Sequence, residues 1–396
     1  MNGCPKVRLG DICSFLNGGT PSKNVDRYFQ GDIPWITGAD ITSPVVKTAR
    51  DFITKEAIEN SATNSVPAGT ILLVTRTSVG KVATAGVRLC FSQDITAITP
   101  DASLLYVPYL VEFLKTQDGY FKRHARGATI KGITRQVVND LEIPLPTLAE
   151  QRQIAAVLDQ ADALRAKRRA TIAQLDELTQ SIFLDMFGDP ATNPKGWPRV
   201  KFGELLANID SGWSPNCLDR PVSGDEWGVL KLGAVTKCEY RSAENKALPP
   251  DVEADPSLEV KPGDLLFSRK NTYDLVAACA LVRETPPRLL MSDLIFRFRL
   301  KPNAEVDSTF LHQLLIYPTK RREIQKLAGG SAGSMPNISK ARLQTALIEI
   351  PPFSLQRDFA KRIASIGKLK AAHQTSLAEL DALFASLQHR AFRGEL

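Results

Sequence analysis

Three short segments of this 396-residue chain set glycine, hydroxyl or amide side chains and a cation within a few positions of one another, and each has a counterpart later on. The first is the turn Gly18-Gly19-Thr20-Pro21, echoed by Ser211-Gly212-Trp213-Ser214-Pro215. The second is Thr75-Arg76-Thr77 with Lys81 nearby, echoed by Arg269-Lys270-Asn271. The third runs from Arg123 to Gly132 and includes Arg126, Thr129 and Lys131; its echo, Gly329 to Asn337, includes Ser331 and Ser334. Glycine lets backbone approach a phosphate, hydroxyl and amide groups bond backbone or base edges, and arginine grips guanine through two hydrogen bonds. Turn geometry alone recruits the same residue types. Recurrence beside Arg or Lys in both places tips the balance toward binding nucleic acid. The candidate contacts are Gly19, Thr20, Thr75, Arg76, Thr77, Lys81, Arg126, Thr129, Lys131, Ser211, Trp213, Arg269, Lys270, Asn271, Ser331, Ser334 and Asn337.

No other chemistry can be assigned. Gly80-Lys81 and Gly367-Lys368 lack the Ser or Thr and the upstream glycine of a phosphate-binding loop. The Asn-Pro-Pro-aromatic signature of an amino-methyltransferase is missing, as is the acidic pair before Glu-x-Lys of a common nuclease centre. His124, His312, His373 and His389 are scattered, which argues against a metal site or a histidine-based triad. Asp94 and Asp293 sit at similar places in the two halves and read as structural caps. Six single cysteines without a CxxC argue against a disulfide framework or zinc ribbon. The expectation is a non-catalytic protein with no cofactor and no metal of its own.

A chain of 396 residues exceeds the usual limit of one hydrophobic core, so two or more domains are expected to position these segments. The most apolar stretch, Leu275 to Val282, is too short for a bilayer and reads as a buried strand. Charges at Lys6, Arg8 and Asp11 occupy the place of a signal-peptide core. A cytoplasmic protein without membrane partners is expected. The net charge of +7 permits an acidic partner, spread at +3 over residues 1–147 and +3 over 191–351. Neither segment is the dense basic patch of a non-specific binder; a specific reader that leans on partners for phosphate contacts would look like this.

The chain also repeats itself. Residues 133–191 superimpose on 338–396 without a gap at a constant offset of 205, matching Ile133 with Ile338, Pro146 with Pro351, Gln151-Arg152 with Gln356-Arg357, and Phe187 with Phe392. Upstream the likeness is looser, Val66-Pro67-Ala68-Gly69 echoing Val260-Lys261-Pro262-Gly263. In the first copy Thr147 and Glu150 form a capping box. Core positions then step four and three: Ile154, Leu158, Ala161, Arg165, Arg168, Ile172, Leu175, Thr179, Ile182, Met186. Gly188 and Pro190 end the pattern. The second copy gives Phe359, Ile363, Ile366, Lys370, His373, Leu377, Leu380, Phe384, Leu387 and Ala391, with Ser354 as its only obvious cap. These are coiled-coil seams of about 60 Å, fit to act as spacers. Both turn polar at the same place. Either those cations face outward while Leu164 and Leu369 take the seam, which the pattern favours, or they await acidic partner groups.

Strand signals at Gly69–Arg76 and Ile95–Ile98, with a helix over Leu104–Lys115, recur as Gly263–Lys270, Leu294–Leu300 and Thr309–Lys326. The fold expected is α+β: two globular units and two long helices packed as an antiparallel coiled coil, with an internal pseudo-two-fold repeat. The boundaries fall at 1–147, 148–190, 191–351 and 352–396.

Two divergent units, each followed by a similar long helix, resemble the specificity subunits of type I restriction-modification systems over essentially the whole chain. The local carriers are Ile143-Pro144-Leu145-Pro146 with Glu150-Gln151-Arg152-Gln153-Ile154, Ser181 to Pro190, and Arg390 to Leu396. The resemblance implies two target-recognition domains, each reading half of a bipartite asymmetric site in double-stranded DNA. It also implies helices that set the unspecified gap and dock two methyltransferase subunits. Those partners would carry S-adenosylmethionine, and a restriction subunit that translocates DNA can join them. Base-contacting residues differ between family members, so none is carried over. The alternatives are an orphan DNA-binding protein of the same architecture and a helical protein–protein scaffold.

Overall fold

A computed structural model describes residues 4–329 and 335–396. The chain divides into two compact units of mixed α/β structure: residues 1–170 with 374–396, and residues 171–373. Each contains one globular portion and half of each long helix, Leu148–Phe187 and Phe353–Ala391.

In the first unit the main sheet orders its strands Cys13–Asn17, Ile95–Pro100, Ile71–Val74, Val82–Ala85 and Val45–Val46, antiparallel except for the last pair. A second sheet orders Asp51–Ile53, Ile33–Ile36, Leu89–Phe91 and Asn64–Val66. The run Ile71-Leu72-Leu73-Val74 is apolar throughout because the strand is covered on both faces. Ile71 and Leu73 enter the core built around helix Val107–Thr116, whereas Leu72 and Val74 enter a separate core with Ile36 and Phe91.

The second unit repeats the connectivity. Its strands order as Leu206–Ser211, Ile295–Leu300, Leu265–Ser268 and Cys279–Leu281, and a smaller sheet sets Asn245–Ala247, Gly228–Leu230 and Leu289–Leu290 side by side. Leu265 and Phe267 again face one core and Leu266 another. Two expectations need correction here. The helix read over Thr309–Lys326 is two, Ser308–Ile316 and Pro318–Gln325, since Pro318 cannot continue the first helix and starts the second. Of Leu275–Val282 only Cys279–Leu281 is strand; Leu275 is exposed and Ala277 has a positive φ.

The first long helix starts at the capping box, the Thr147 amide donating to Glu150 Oε2 at 2.8 Å and the Glu150 amide to Thr147 Oγ1 at 3.3 Å. The second has no such box. Ser354 lies inside its first turn, and Pro352 supplies the first carbonyl, so Ser354 is not the cap. Every seam position of both helices is buried or half-buried.

The polar step resolves against the outward reading. Leu164 and Leu369 are 53% and 50% exposed, and the cations keep the seam. In the first unit the Arg165 guanidinium lies 4.2 Å from the Phe384 ring centroid and bonds Asp381 and Asp162, each at 2.6 Å. In the second, Lys370 bonds Asp176 at 2.7 Å and Glu239 at 2.8 Å. Burial works to lower the Lys370 pKa, but the two carboxylates outweigh it and raise it. The long stems fill the seam while the charged ends meet acids from the same unit, which a one-helix pattern cannot reveal.

Phe187 and Phe392, equivalent at the offset of 205, close the two units in the same manner. Phe187 packs on Phe310 at 4.7 Å and Phe359 at 5.3 Å; Phe392 packs on Tyr109 at 5.3 Å and Phe113 at 5.4 Å.

Candidate nucleic-acid interface

The three segment pairs separate by burial. At the first, the glycines serve packing. A Cβ on Gly18 would lie 2.2 Å from the Ser92 carbonyl oxygen, and one on Gly212 would lie 2.3 Å from that of Ser292, so both permit the chain to cross a neighbouring strand. Gly19 is buried: its amide donates to Phe91 O at 3.0 Å and its carbonyl accepts from Trp35 Nε1 at 3.0 Å. It is therefore not a surface contact. Thr20 is half-buried and donates to Gln93. Ser211 is likewise half-buried, and Trp213 is 36% exposed.

The second and third segments, far apart in sequence, are stitched into one ledge. In the first unit the Thr77 amide donates to Lys131 O at 3.0 Å, the Ile133 amide to Thr75 O at 2.9 Å, and Arg126 and Gly132 exchange backbone bonds of 2.8 and 2.9 Å. In the second unit the Asn271 amide donates to Pro336 O at 3.3 Å, the Ile338 amide to Arg269 O at 2.8 Å, and Gly329 and Asn337 exchange two bonds of 2.9 Å. Thr75 and Asn271 are buried within these ledges and act as anchors, a correction to their reading as surface contacts. Thr77, which takes a left-handed φ of 62°, is exposed, as are Arg76, Lys81, Arg126, Thr129 and Lys131. Ser331 and Ser334 lie outside the described residues.

The first ledge is electropositive: among the described residues none of Arg76, Arg126 and Lys131 makes an ion pair. The second is more enclosed. Lys270 is half-buried, and Arg269 stacks on Phe296 at 5.2 Å. Arg269 Nε and Asn337 Oδ1 are buried without a hydrogen-bond partner. A groove of about 550 Å³ lies beside the Ser211–Asn216 segment and is lined by Asn216, Lys231, Lys246 and Ser292.

Sequence reasoning missed two cations. Lys340 shares Phe296 with Arg269 at 5.7 Å, and Arg135, its equivalent at offset 205, stacks on Phe15 at 5.7 Å. The repeat itself was the signal that could have found them. Among the described residues no cluster of three or more His, Cys, Asp or Glu could hold a metal ion, and no helix is long and apolar enough to cross a membrane.

Residues 1–176 match the family described as the type I restriction modification DNA specificity domain. The chain is similar to the EcoEI specificity subunit of a type I restriction enzyme from Escherichia coli, 36% identical over 49% of this chain and 34% of that one. It is also similar to the MjaIX specificity subunit of Methanocaldococcus jannaschii, 30% identical over 52% of each chain. The aligned parts thus span between a third and about half of those relatives. The fold matches the crystal structure of the type I S subunit from M. genitalium with a TM-score of 0.60 at 16% identity, covering 99% of this chain and 97% of that one.

Proposed function

We propose, for a chain whose first 176 residues match the type I restriction modification DNA specificity domain, that it is the sequence-reading subunit of a type I complex. Each globular unit reads one half of a bipartite target in double-stranded DNA, and the two long helices set the gap between the halves. The observation that carries this reading is the pair of stitched ledges, built from the same backbone bonds in both units and rimmed by cations. Methyl transfer, with its S-adenosylmethionine, belongs to partner subunits, and so does cleavage; the site of action is the cytoplasm. Mapping methylated adenines in a host carrying the complex tests this. The expected result is one asymmetric motif split by a fixed gap. A continuous or palindromic motif, or no motif at all, overturns it.

The docking faces for two methyltransferase subunits are proposed on the helices. Leu164 and Leu383 in the first unit are 53% and 51% exposed, and Leu178 and Leu369 in the second are 45% and 50% exposed. Each directly precedes a seam residue (Arg165, Phe384, Thr179 and Lys370), so all four occupy the same flanking position of the coiled-coil pattern. They are also equivalent in pairs at the offset of 205, which suits two copies of one partner. The double substitution Leu164→Asp, Leu383→Asp removes two apolar contacts of roughly 1.5–3 kcal/mol each. Native mass spectrometry is expected to show one methyltransferase subunit lost and the other kept. Retention of both sinks the assignment.

A further inference from the structure

The ledges carry a feature that cations and hydroxyls do not explain. Ile130 is 59% exposed, and among the described residues no large apolar side chain is more so; Met335 is 46% exposed. Single exposed apolar residues are ordinary on protein surfaces. These two hold the same place in both units. Each immediately precedes the carbonyl, Lys131 O or Pro336 O, that accepts the stitching bond from Thr77 or Asn271. Their neighbours differ otherwise, so what has been kept is apolar character at that point of the ledge.

In the first unit the position is also held firmly. A Cβ on Gly127 would lie 2.1 Å from Ile130 O, so the turn closes tightly under the Ile130 backbone and leaves the side chain outside. Gly127 takes a φ of 129°, which a residue with a side chain rarely adopts. Arg126 and Lys131 flank the apolar tip, and Arg76 lies on the adjoining strand exit. An isoleucine among such cations gains nothing from a phosphate. The apolar group that duplex DNA presents to a protein is the 5-methyl of thymine in the major groove.

We propose that Ile130 and Met335 are specificity-determining contacts, each seated against the 5-methyl group of a thymine in the half of the target that its unit reads. This rests on the DNA-reading function proposed above. Ile130 is branched at Cβ and stiff, so it selects one position; Met335 is unbranched and tolerates more displacement.

The test uses the full chain assembled with its methyltransferase subunits and a set of cognate duplexes in which each thymine in turn is replaced by deoxyuridine. Losing one buried methyl is expected to weaken binding about fourfold at a single position in each half-site. Ile130→Ala is expected to bind the thymine and uracil duplexes equally at that position, while Met335→Ala leaves it unchanged and abolishes the corresponding preference in the other half. Three results overturn the proposal while leaving the DNA-reading function intact: bipartite binding with no effect of any uracil, a uracil effect that survives in both halves in Ile130→Ala, or a single substitution that alters both halves. If the wild-type complex shows no preference for a bipartite duplex, the DNA-reading function fails and this contact fails with it.

Discussion

Under the proposed function, exchanging residues 1–147 for the equivalent unit of a type I specificity subunit is expected to replace one half of the methylated motif, leaving the other half and the gap as they were. The expectation follows from where the chain makes its contacts. The first ledge is closed entirely by bonds among residues 75–77, 94 and 126–133, so its geometry travels with the exchanged segment. The Gln151 side chain crosses the junction by bonds to backbone alone: it donates to Leu104 O and Pro146 O, each at 2.9 Å, and accepts from the Tyr106 amide at 2.7 Å. Gln356 does the same in the second unit with Glu305 O, Pro351 O and the Asp307 amide. A donor segment that keeps the backbone around this glutamine can seat on the recipient helix. The readout is the methylated motif of the hybrid. If both halves change, or the gap changes while the helices do not, independent reading by each unit is wrong.

Arg297→Ala is expected to destabilise the second unit by about 3–5 kcal/mol, the usual loss when one partner of a buried ion pair is removed. Arg297 is 2% exposed and bonds Asp210 at 2.9 Å, Asp264 at 3.2 Å and the carbonyls of Glu259 and Ser257 at 2.8 Å each. Truncation leaves Asp264, 7% exposed, with Arg299 at 3.4 Å as its one cation and the Lys261 amide at 2.9 Å. It also leaves the Ser257 and Glu259 carbonyls without the Arg297 donors. Burial alone would raise the Asp210 pKa, but the two arginines outweigh it and hold the carboxyl below its ordinary value. The node's contribution is therefore present above the unfolded aspartate's pKa and fades as pH falls through the lowered native one, and Arg297→Ala should flatten that acid dependence. Urea unfolding at two pH values reads both effects. A loss under 1 kcal/mol would show that Arg299 suffices. The first unit provides the control composition: where Arg297 pairs with Asp210, it pairs Ala97 with Leu16. A variant with Arg297→Ala, Asp210→Leu and Asp264→Thr copies that arrangement and should recover most of the loss.

The two long helices and their seams were legible because a period of three and four over forty residues leaves little freedom, and the capping box at Thr147 and Glu150 fixes where the first begins. The strands Ile71–Val74 and Leu265–Ser268 were legible for a different reason: unbroken apolar runs bounded by turn residues have few other homes. What one-dimensional reading could not supply was the partner of each polar group. Arg165 looks misplaced in a seam until Phe384 and Asp381, over two hundred residues away, are set beside it. Gly19 looks like a phosphate-binding turn until Phe91 and Trp35 cover it. Thr75 and Asn271 had the right segment and the wrong depth, because strand exits alternate between buried and exposed and the sequence does not say where that alternation stops. The ledges themselves were found as separate loops; their joining depends on pairings about fifty to seventy residues apart.

The division of the chain has a consequence for its synthesis. Residues 374–396 belong to the unit that begins at the N-terminus, and Phe392 fills the space between Tyr109 and Phe113. As the polypeptide emerges from the ribosome, the first unit leaves that space open until residues 374–396 arrive, whereas the second, drawn from the uninterrupted stretch 171–373, can close earlier. A chain stalled after residue 373 therefore holds every residue of the second unit while the first still lacks residues 374–396.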